Sequence, residues 1–326
     1  MNGAHELTDA AASKPGPSPM SVNPKARILA EALPYIRAYH GKTLVIRFGG
    51  NAMADPVLKA GFARDVALLR LVGMKPIVVH GGGWRIDELM RQTGMESRRH
   101  RGVRITDERT LTIVEMALGE LNQELVGLIN RHGGRAVGLN GQDGRFIHAR
   151  RLTLSGDDAG GDADTLDLGF VGDVESIDVG LIDLLLSSNF IPVIMPIGVG
   201  ADGTAYHINS DLLAGRLARA LEAEKLILMT NVPGVHDRAG NLMYILTASE
   251  AETFLRDGVV DGGMRPRVTA ALQAVREGVR SVHIIDGGVP SALLLEVLTA
   301  EGVGTALRSD AGPHFLEDSR DYLLAD

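Results

Sequence analysis

Three glycine clusters each follow directly on a short apolar run of the sequence. They are Gly49-Gly50-Asn51, Gly81–Gly83 and Gly198-Val199-Gly200. Ligands of open α/β sheets bind at the carboxyl ends of strands, where glycine lets backbone N–H groups approach an anion closely. Each cluster taken alone is better explained by a tight turn that requires glycine. Three clusters together favour a site for a phosphate or a carboxylate group.

The composition excludes several kinds of chemistry. The 326 residues include no cysteine, which rules out disulfides, thiolate nucleophiles and cysteine-bound metal centres. The sequence contains neither a G-x-S-x-G elbow nor an H-E-x-x-H motif, which argues against a serine hydrolase and a zinc protease. These absences leave the backbone N–H groups of the glycine clusters as the candidate ligand-binding groups, and we expect no metal site built by the protein itself.

The charge balance and the apolar pattern narrow the partners and the compartment. Acidic residues outnumber basic ones by 41 to 33, which argues against a general nucleic-acid binder. No apolar run reaches the roughly 18 residues that a membrane span requires. Residues 1–22 are rich in Ala, Ser, Pro and Gly, which predicts a disordered tail rather than a secretory signal. We expect a cytoplasmic protein with no nucleic-acid or membrane partner.

Alternating strands and helices position the glycine clusters. Runs rich in Val, Ile and Leu without polar alternation predict buried parallel strands. These strands are Thr43–Ile46, Pro76–Val79, Ile191–Met195, Lys225–Met229 and Ser281–Ile285. Amphipathic stretches predict helices over Phe62–Leu71, Thr110–Arg131, Ile177–Leu186, Ser210–Leu221, Ser249–Arg256 and Val268–Glu277, with one more starting near Trp84. The alternation implies right-handed βαβ units around a largely parallel sheet.

Two further segments do not belong to that alternation. Residues 145–176 are more polar, with short alternating runs that predict hairpins, and Gly156–Asp164 within them reads as an exposed loop. Before the first strand, Pro24–His40 carries an apolar stripe at helical spacing. From its residues alone, this helix either packs on the core of its own chain or docks on another subunit, and the first interpretation is favoured.

The order and spacing of eight segments resemble the amino acid kinase family. The segments are Lys42–Met53, Val78–Met90, Gly102–Met116, Leu168–Val174, Ile208–Asp211, Glu224–Val235, Gly262–Leu272 and His283–Thr305. The resemblance covers nearly all of the chain from about residue 24 to residue 307. It implies an α/β protein folded as an open αβα sandwich with a mainly parallel central sheet, preceded by an N-terminal helix.

The resemblance also implies a division of the chain. Residues 1–22 would form the tail and residues 23–40 a helix that links subunits. Residues 41–200 would form an N-lobe that binds an acyl amino acid and makes the dimer contact. Residues 201–308 would form a nucleotide-binding C-lobe, followed by a C-terminal tail over residues 309–326.

The activity implied by the resemblance is phosphoryl transfer to a carboxylate. Within the family, the segments are most similar to members that move the γ-phosphoryl group of ATP to the side-chain carboxylate of N-acetyl-L-glutamate in arginine biosynthesis. The product is an acyl phosphate, and Mg²⁺ would arrive bound to the nucleotide. A carboxylate is already ionised at neutral pH, so the reaction needs alignment and charge neutralisation rather than a general base.

The resemblance assigns roles to thirteen positions of the chain. They are, for catalysis, Arg47, Gly50, Asp211 and Arg267; for the substrate, Gly82, Gly83, Arg104 and His207; and for the nucleotide, Thr230, Asn231, Gly234, Gly263 and Met264. Two of these residues have an ordinary structural alternative. Arg104 would otherwise form a surface salt bridge, and Asp211 would otherwise cap the helix that follows it.

Four site positions depart from the family pattern. Arg47 and Arg267 stand where the family has lysine, His207 where it has asparagine, and Asn231 where it has aspartate. Arginine keeps the positive charge but is larger and planar. Three interpretations follow: an active kinase with a site adapted to arginine, a kinase of a related acyl amino acid, or a catalytically weak homologue that serves as a binding or regulatory subunit.

The N-terminal helix resembles that of the hexameric, arginine-inhibited members of the family. In those members the helix links dimers and borders the arginine site, which reverses the preference for packing on its own core. The resemblance therefore implies a homo-oligomer, either a dimer or a hexamer, with arginine as an inhibitor. The candidate arginine contacts are Tyr39, Glu301 and Gly304.

Overall fold

The computed structural model describes residues 24–100, 102–154, 166–300 and 302–310. The tails predicted over residues 1–22 and beyond residue 310, the loop predicted over residues 156–164, and Glu301 lie outside this part of the chain. The helices are α1 (Pro24–Tyr39), α2 (Pro56–Leu71), α3 (Gly83–Gln92), α4 (Glu108–Arg131), α5 (Gly180–Ser187), α6 (Ser210–Ala220), α7 (Ala248–Arg256), α8 (Arg265–Arg276) and α9 (Ala292–Leu298). The first seven strands are β1 (Thr43–Phe48), β2 (Lys75–His80), β3 (Arg99–His100), β4 (Val103–Arg104), β5 (Ala136–Leu139), β6 (Ile147–Leu154) and β7 (Leu166–Ile177). The others are β8 (Ile191–Ile194), β9 (Ile197–Val199), β10 (Ala205–Ile208), β11 (Lys225–Thr230), β12 (Ile245–Thr247), β13 (Ser281–Asp286) and β14 (Gly304–Arg308).

An eight-stranded sheet in the described residues has the order β12-β14-β13-β11-β1-β2-β8-β5. The five strands predicted from apolar runs are neighbours in it, as β13-β11-β1-β2-β8, and all four of those pairs are parallel. The pair β13–β14 is antiparallel. The predicted parallel sheet is confirmed, because strands without polar alternation are stable only when both faces are covered.

The two faces of β1 belong to different core clusters. Val45 packs with residues of α6 and α8, including Leu213 and Val268. Leu44 and Ile46 pack on the opposite face with residues of α2 and α9. Since successive side chains of a strand point to opposite faces, this division makes the sheet the middle layer of an αβα sandwich.

Several predicted helices begin elsewhere than expected, α2 and α5 among them. α2 begins at Pro56 rather than Phe62, because Asp55 caps its N-terminus by accepting hydrogen bonds from the N–H groups of Val57 and Leu58. α5 begins at Gly180 rather than Ile177, because Ile177 still belongs to β7. An apolar side chain is compatible with either element, so its hydrophobicity alone cannot place such a boundary.

A small closed barrel, β10-β7-β6-β9, stands beside the sheet. β6 and β7 pair antiparallel, which confirms the hairpin predicted within residues 145–176. Gly198 lies inside β9 rather than in a loop, and a Cβ there would lie 2.7 Å from Ile208 Cδ1. The expectation that the third glycine cluster helps to bind an anion is therefore wrong, since the glycine at position 198 serves close packing in the barrel.

The N-terminal helix packs partly on its own chain. Tyr35 and Tyr39 are buried with residues of the sheet, and Ala32 and Ile36 pack against the same cluster. Leu33, in contrast, is 56% exposed. One face of α1 therefore packs on the core of its own chain. The role of this helix in linking subunits stays a prediction. Across the described residues, every helix is too short or too polar to cross a membrane.

Candidate active site

A pocket of about 690 Å³ lies where β1 and β2 end and where α3, α6 and β10 meet. Six of the residues predicted to contact a ligand or to belong to the glycine clusters line it. They are Arg47, Gly81, Gly82, Gly83, Arg104 and His207. Because the parallel strands deliver their carboxyl ends to one edge of the sheet, residues distant in sequence converge here.

The loop after β1 requires glycine for steric reasons. Gly50 has φ +77°, and a Cβ at this position would lie 2.1 Å from Oδ1 of Asn231. That same oxygen accepts a hydrogen bond of 2.6 Å from the N–H of Asn51. Gly50 is thus in contact with the Asn231 side chain of the loop that follows β11, and a side chain at position 50 would displace that amide from its hydrogen bond with Asn51 or move one of the loops.

The loop after β2 leads straight into α3. Gly82 is the N-cap of that helix, and no side chain caps it. A Cβ on Gly82 would lie 2.8 Å from Leu118 Cδ2 and 2.9 Å from Leu121 Cδ1, so a larger residue would collide with α4. An uncapped helix N-terminus with its glycines on a pocket wall offers N–H groups and a favourable dipole to an anion.

Arg47 lies between the two glycine loops. It is buried, with 9% of its surface exposed. Its Nη1 donates to the carbonyl oxygen of Met229 at 3.1 Å, and its Nε donates to Ser210 Oγ at 3.2 Å. Its Nη2 would lie 3.4 Å from a Cβ on Gly81. The guanidinium is therefore fixed at the place where both loops could present N–H groups to a phosphoryl group.

Asp211 is not the cap of α6, which corrects the structural alternative given for it. The cap is Asn209, whose Oδ1 accepts hydrogen bonds from the N–H groups of Asp211 and Leu212. The buried Asp211 carboxylate has Oδ1 2.7 Å from Arg47 Nε. That N–H is directed to Ser210 Oγ, so this oxygen makes no hydrogen bond.

Arg267 lies near the charges of Asp211 and Arg47 without lining the pocket wall. Its Nη1 donates to the Gly263 carbonyl oxygen at 2.6 Å, while its buried Nε has no hydrogen-bond partner. Burial lowers the pKa of Arg267, Asp211 raises it and Arg47 lowers it further. A buried donor without a partner costs free energy, so Arg267 Nε suits an anionic ligand, whereas Asp211 Oδ1 already has the Arg47 guanidinium 2.7 Å away.

Arg104 is not a surface salt bridge, since only 4% of it is exposed. Its Nη1 lies 2.7 Å from Asp87 Oδ1 and donates to Ser97 Oγ at 2.6 Å. Burial lowers the pKa of Arg104, whereas its bond to Asp87 raises it. The side chain stays a fixed cation on the pocket wall, as binding of a substrate carboxylate requires.

His207 faces the pocket from β10. Burial lowers its pKa to about 4, and the nearby charges of Arg104 and Arg99 contribute to that shift. The imidazole is therefore neutral at pH 7, with one N–H to donate and one nitrogen to accept. The ring can therefore replace an amide side chain, which also combines one donor group and one acceptor.

The predicted nucleotide residues lie outside the lining of this pocket. Thr230 is buried at the end of β11 and donates to the carbonyl oxygen of Val232, and Asn231 holds the N–H of Asn51. Gly234 contacts Thr305, since a Cβ there would lie 2.4 Å from Thr305 Oγ1. Gly263 and Met264 lie at the N-terminus of α8, next to Arg265 of the pocket wall. Their role toward a nucleotide stays a prediction.

The described arginine candidates, Tyr39 and Gly304, lie away from the pocket. Tyr39 is buried, with Lys225 Nζ 5.0 Å from its ring centroid, and burial raises its pKa. Gly304 lies in β14, where a Cβ would be 2.1 Å from the Ile284 carbonyl oxygen. Glycine is therefore required at position 304 by strand packing, whatever else it does.

The sequence reasoning missed several residues of the pocket. Ser210, which receives the Arg47 hydrogen bond, directly precedes Asp211 in a segment that had been singled out. Arg99 and Arg265 also line the pocket, and Asp87 holds Arg104. Arginine is common on surfaces, so the sequence held no signal that would have distinguished Arg99 from the many arginines outside the site.

Comparison with known proteins agrees with this geometry. The model of the amino acid kinase family matches residues 42–286. The chain belongs to the amino acid kinase family. Its relatives include the acetylglutamate kinase of Chromobacterium violaceum, 58% identical over 87% of this chain and 98% of that protein. The acetylglutamate kinase of Nitrosomonas eutropha is 56% identical over 90% of this chain and 99% of its own length.

A solved structure extends the likeness to the fold. The N-acetylglutamate synthase of Neisseria gonorrhoeae, in complex with coenzyme A and N-acetyl-glutamate, superposes with a TM-score of 0.78 at 25% identity. The match covers 89% of this chain but 64% of the synthase, so this chain spans less than two thirds of that longer protein. Membership of the amino acid kinase family confirms both the resemblance found in the sequence and the αβα sandwich predicted from it.

Proposed function

We propose that this chain is an acetylglutamate kinase, which transfers the γ-phosphoryl group of ATP to the side-chain carboxylate of N-acetyl-L-glutamate. The observation that carries the proposal is one pocket with arginines on two separate parts of its wall. Arg47 lies beside the glycine loops, and the buried Arg104 lies on another part of the wall. The substrate has two carboxylates, and the relatives at 52–58% identity are named for this substrate.

The reaction proceeds by direct displacement. A carboxylate oxygen of the substrate forms a bond to the γ-phosphorus while the bond from that phosphorus to the bridging oxygen of ADP breaks, so the products are an acyl phosphate and ADP. The nucleophile is already charged, so no proton has to be removed. The protein supplies alignment and neutralisation of the charge on the phosphoryl oxygens, which are the main contributions to phosphoryl-transfer catalysis.

The residues around Arg47 hold the transferring group. Arg47 and Arg267 offer N–H donors to its oxygens, and the backbone N–H groups of Gly50, Gly82 and Gly83 surround it. Asp211 aligns these cations through its contact with Arg47. Support comes from the fixed position of Arg47, which is held by Met229 and Ser210 on either side.

The residues around Arg104 hold the rest of the substrate. The Arg104 guanidinium pairs with the α-carboxylate, and the neutral His207 ring hydrogen-bonds the N-acetyl group or the same carboxylate. The fixed cation and the neutral donor both lie on the wall of a pocket of about 690 Å³, which is adequate for a small acyl amino acid.

The site fits a magnesium ion carried by the nucleotide. Within the described ranges, no three His, Asp or Glu side chains are grouped to hold a metal. The buried Asp211 carboxylate already has the Arg47 guanidinium 2.7 Å from its Oδ1, so the ion would be held mainly by the phosphates of the nucleotide. When bound, the ion would neutralise charge on the β- and γ-phosphates.

The nucleotide itself is assigned to the loops after β11 and before α8. Thr230, Asn231, Gly234, Gly263 and Met264 would line its site, in the C-lobe of residues 201–308, while residues 41–200 form the substrate lobe. Asn231 supports this assignment, because it links the loop after β11 to the loop of Gly50 that receives the phosphoryl group.

The arginines at positions 47 and 267 favour an active enzyme over a binding subunit. Each guanidinium is tethered by a hydrogen bond to a backbone carbonyl oxygen, from Met229 and Gly263 respectively. A tethered guanidinium keeps its remaining N–H groups in a fixed direction, so the loss of the flexible lysine is compensated by pre-organisation.

The test is a hydroxylamine trap of the acyl phosphate. Purified full-length protein is mixed with MgATP and a panel of N-acyl amino acids, with N-acetyl-L-glutamate and N-acetyl-L-aspartate as the matched pair. We expect hydroxamate from acetylglutamate at least tenfold faster than from acetylaspartate. A preference for another acyl amino acid would identify a related kinase, and bound ATP without product would identify a regulatory subunit.

Regulation and assembly follow the same family reasoning. Arginine would inhibit the enzyme at a site bordered by Tyr39, Glu301 and Gly304, and α1 would link dimers into a hexamer. The exposed Leu33 on α1 supports a contact with another subunit, since the opposite face of the helix is already packed. The cytoplasm is the proposed compartment, where amino-acid biosynthesis and ATP are found together.

A further inference from the structure

Arg99 lies beside Arg104 on the pocket wall. The two residues are direct cross-strand partners, since Arg99 of β3 pairs with Arg104 of β4 in an antiparallel ladder. Both line the pocket, and Arg99 Nη2 would lie 3.8 Å from a Cβ on Gly83. The charges of both arginines lower the pKa of His207, so both guanidinium groups lie near that ring.

Two like charges directly opposite each other destabilise a β-ladder. Asp87 relieves this repulsion, because its Oδ1 lies 2.7 Å from Arg104 Nη1 and its Oδ2 lies 2.9 Å from Arg99 Nη2. Ser97 Oγ donates to the same Oδ1 at 2.7 Å. Burial raises the pKa of Asp87, but the bonds from Arg104 and Ser97 outweigh it and lower the pKa below its usual value.

The net charge of Arg99, Arg104 and Asp87 together balances that of one substrate carboxylate. Two guanidinium groups and one carboxylate leave a single positive charge. The hydrogen bonds described for Arg99 involve Nη2 with Asp87 and Nη1 with the Gly102 carbonyl oxygen at 3.4 Å, which leaves N–H capacity on a half-exposed group. Folding alone does not need the second arginine, since Arg104 and Asp87 already form a complete pair.

We propose that Arg99 is a specificity-determining residue, which together with Arg104 forms a two-guanidinium clamp for the α-carboxylate of the acyl amino acid. The inference rests on the proposed function and deepens it. Asp87 is the positioning residue of this clamp, because it holds each guanidinium by a different oxygen. The clamp favours substrates that carry a second carboxylate besides the one that accepts the phosphoryl group.

The test compares Arg99→Met and Arg99→Lys with the control variant Arg150→Met. Arg150 is also an exposed arginine, makes a surface ion pair with Asp173, and does not line the pocket. We expect Arg99→Met to raise the KM for N-acetyl-L-glutamate about tenfold with kcat within about twofold, because a charge-assisted hydrogen bond at a half-exposed site is lost. Arg99→Lys restores part of the loss, and the control matches the wild type.

A second substrate locates the interaction. 4-Acetamidobutanoate keeps the N-acetyl group and the acceptor carboxylate but has no α-carboxylate. We expect its kcat/KM to be equal in the wild type and in Arg99→Met. An unchanged KM for acetylglutamate in Arg99→Met, or an equal loss with both compounds, would overturn the clamp. A wild type that produces no acyl phosphate from acetylglutamate would instead overturn the proposed function.

Discussion

The substitution Gly50→Ala tests the contact between the two loops at the phosphoryl end of the pocket. A Cβ on Gly50 would lie 2.1 Å from Asn231 Oδ1, whereas carbon–oxygen contacts rarely fall below about 3 Å. The Asn231 side chain must therefore swing away and release the N–H of Asn51, or one loop must move by about 1 Å. A displacement of that size at a reacting centre costs roughly 100-fold in rate. We expect kcat to fall about 100-fold, with a smaller change in the KM for acetylglutamate.

The matched control for this prediction is Gly258→Ala. Gly258 also has a positive φ, +66° against +77° for Gly50, but nothing lies within 4 Å of a Cβ there. Both variants pay the left-handed backbone cost of about 1–2 kcal/mol, so their melting temperatures should fall together. Hydroxylamine-trapped product and thermal unfolding are measured on both. A Gly50→Ala enzyme within fivefold of wild-type kcat, or an equal loss in Gly258→Ala, would refute the steric reasoning.

Three further predictions concern charge, pH and assembly. Arg47→Met should lower kcat at least 100-fold while the KM for acetylglutamate changes little, because Arg47 lies beside the glycine loops. Steady-state kinetics of this variant and of the control Arg150→Met test the prediction. The pKa of His80 is lowered to about 4 by burial, so between pH 6.5 and 4 the unfolded chain binds more protons and stability rises with pH. Lowering the pH from 6.5 to 5 should cost about 2 kcal/mol from His80, and His80→Gln should flatten the pH dependence of urea unfolding. Deleting residues 1–40 should turn hexamers into dimers by light scattering and should also lower the melting temperature, because Tyr35 and Tyr39 leave the core.

The sheet was predictable because its strands are buried on both faces. Runs such as Lys225–Met229 carry no polar alternation, and only a covered parallel sheet accommodates them. The glycine loops after β1 and β2 were predictable for a related reason, since strand ends in such sheets are the usual ligand positions. The segment around Gly198 was predicted to be a loop but belongs to strand β9. Pro196 and β9 continue the apolar run of the preceding strand, so the sequence does not show where one strand ends and the next begins.

The fine arrangement of the site could not be predicted from the sequence. Asp211 directly precedes the helical run from Leu212, as a cap would, but Asn209 performs that task, and only the backbone geometry distinguishes the two. Arg99 and Arg104 are five residues apart, a spacing without periodic meaning, and their pairing depends on the register of a two-residue ladder. Such contacts arise from tertiary packing, which local propensity does not encode.

The most direct test of the proposed activity is the ratio of ADP released to hydroxamate trapped in the same reaction. Purified full-length protein is given MgATP with and without N-acetyl-L-glutamate, and ADP and trapped hydroxamate are measured together. We predict that ADP release depends on acetylglutamate and that one hydroxamate forms for each ADP. ADP release without hydroxamate, or the same slow release with and without acetylglutamate, would contradict phosphoryl transfer to the substrate carboxylate in this pocket.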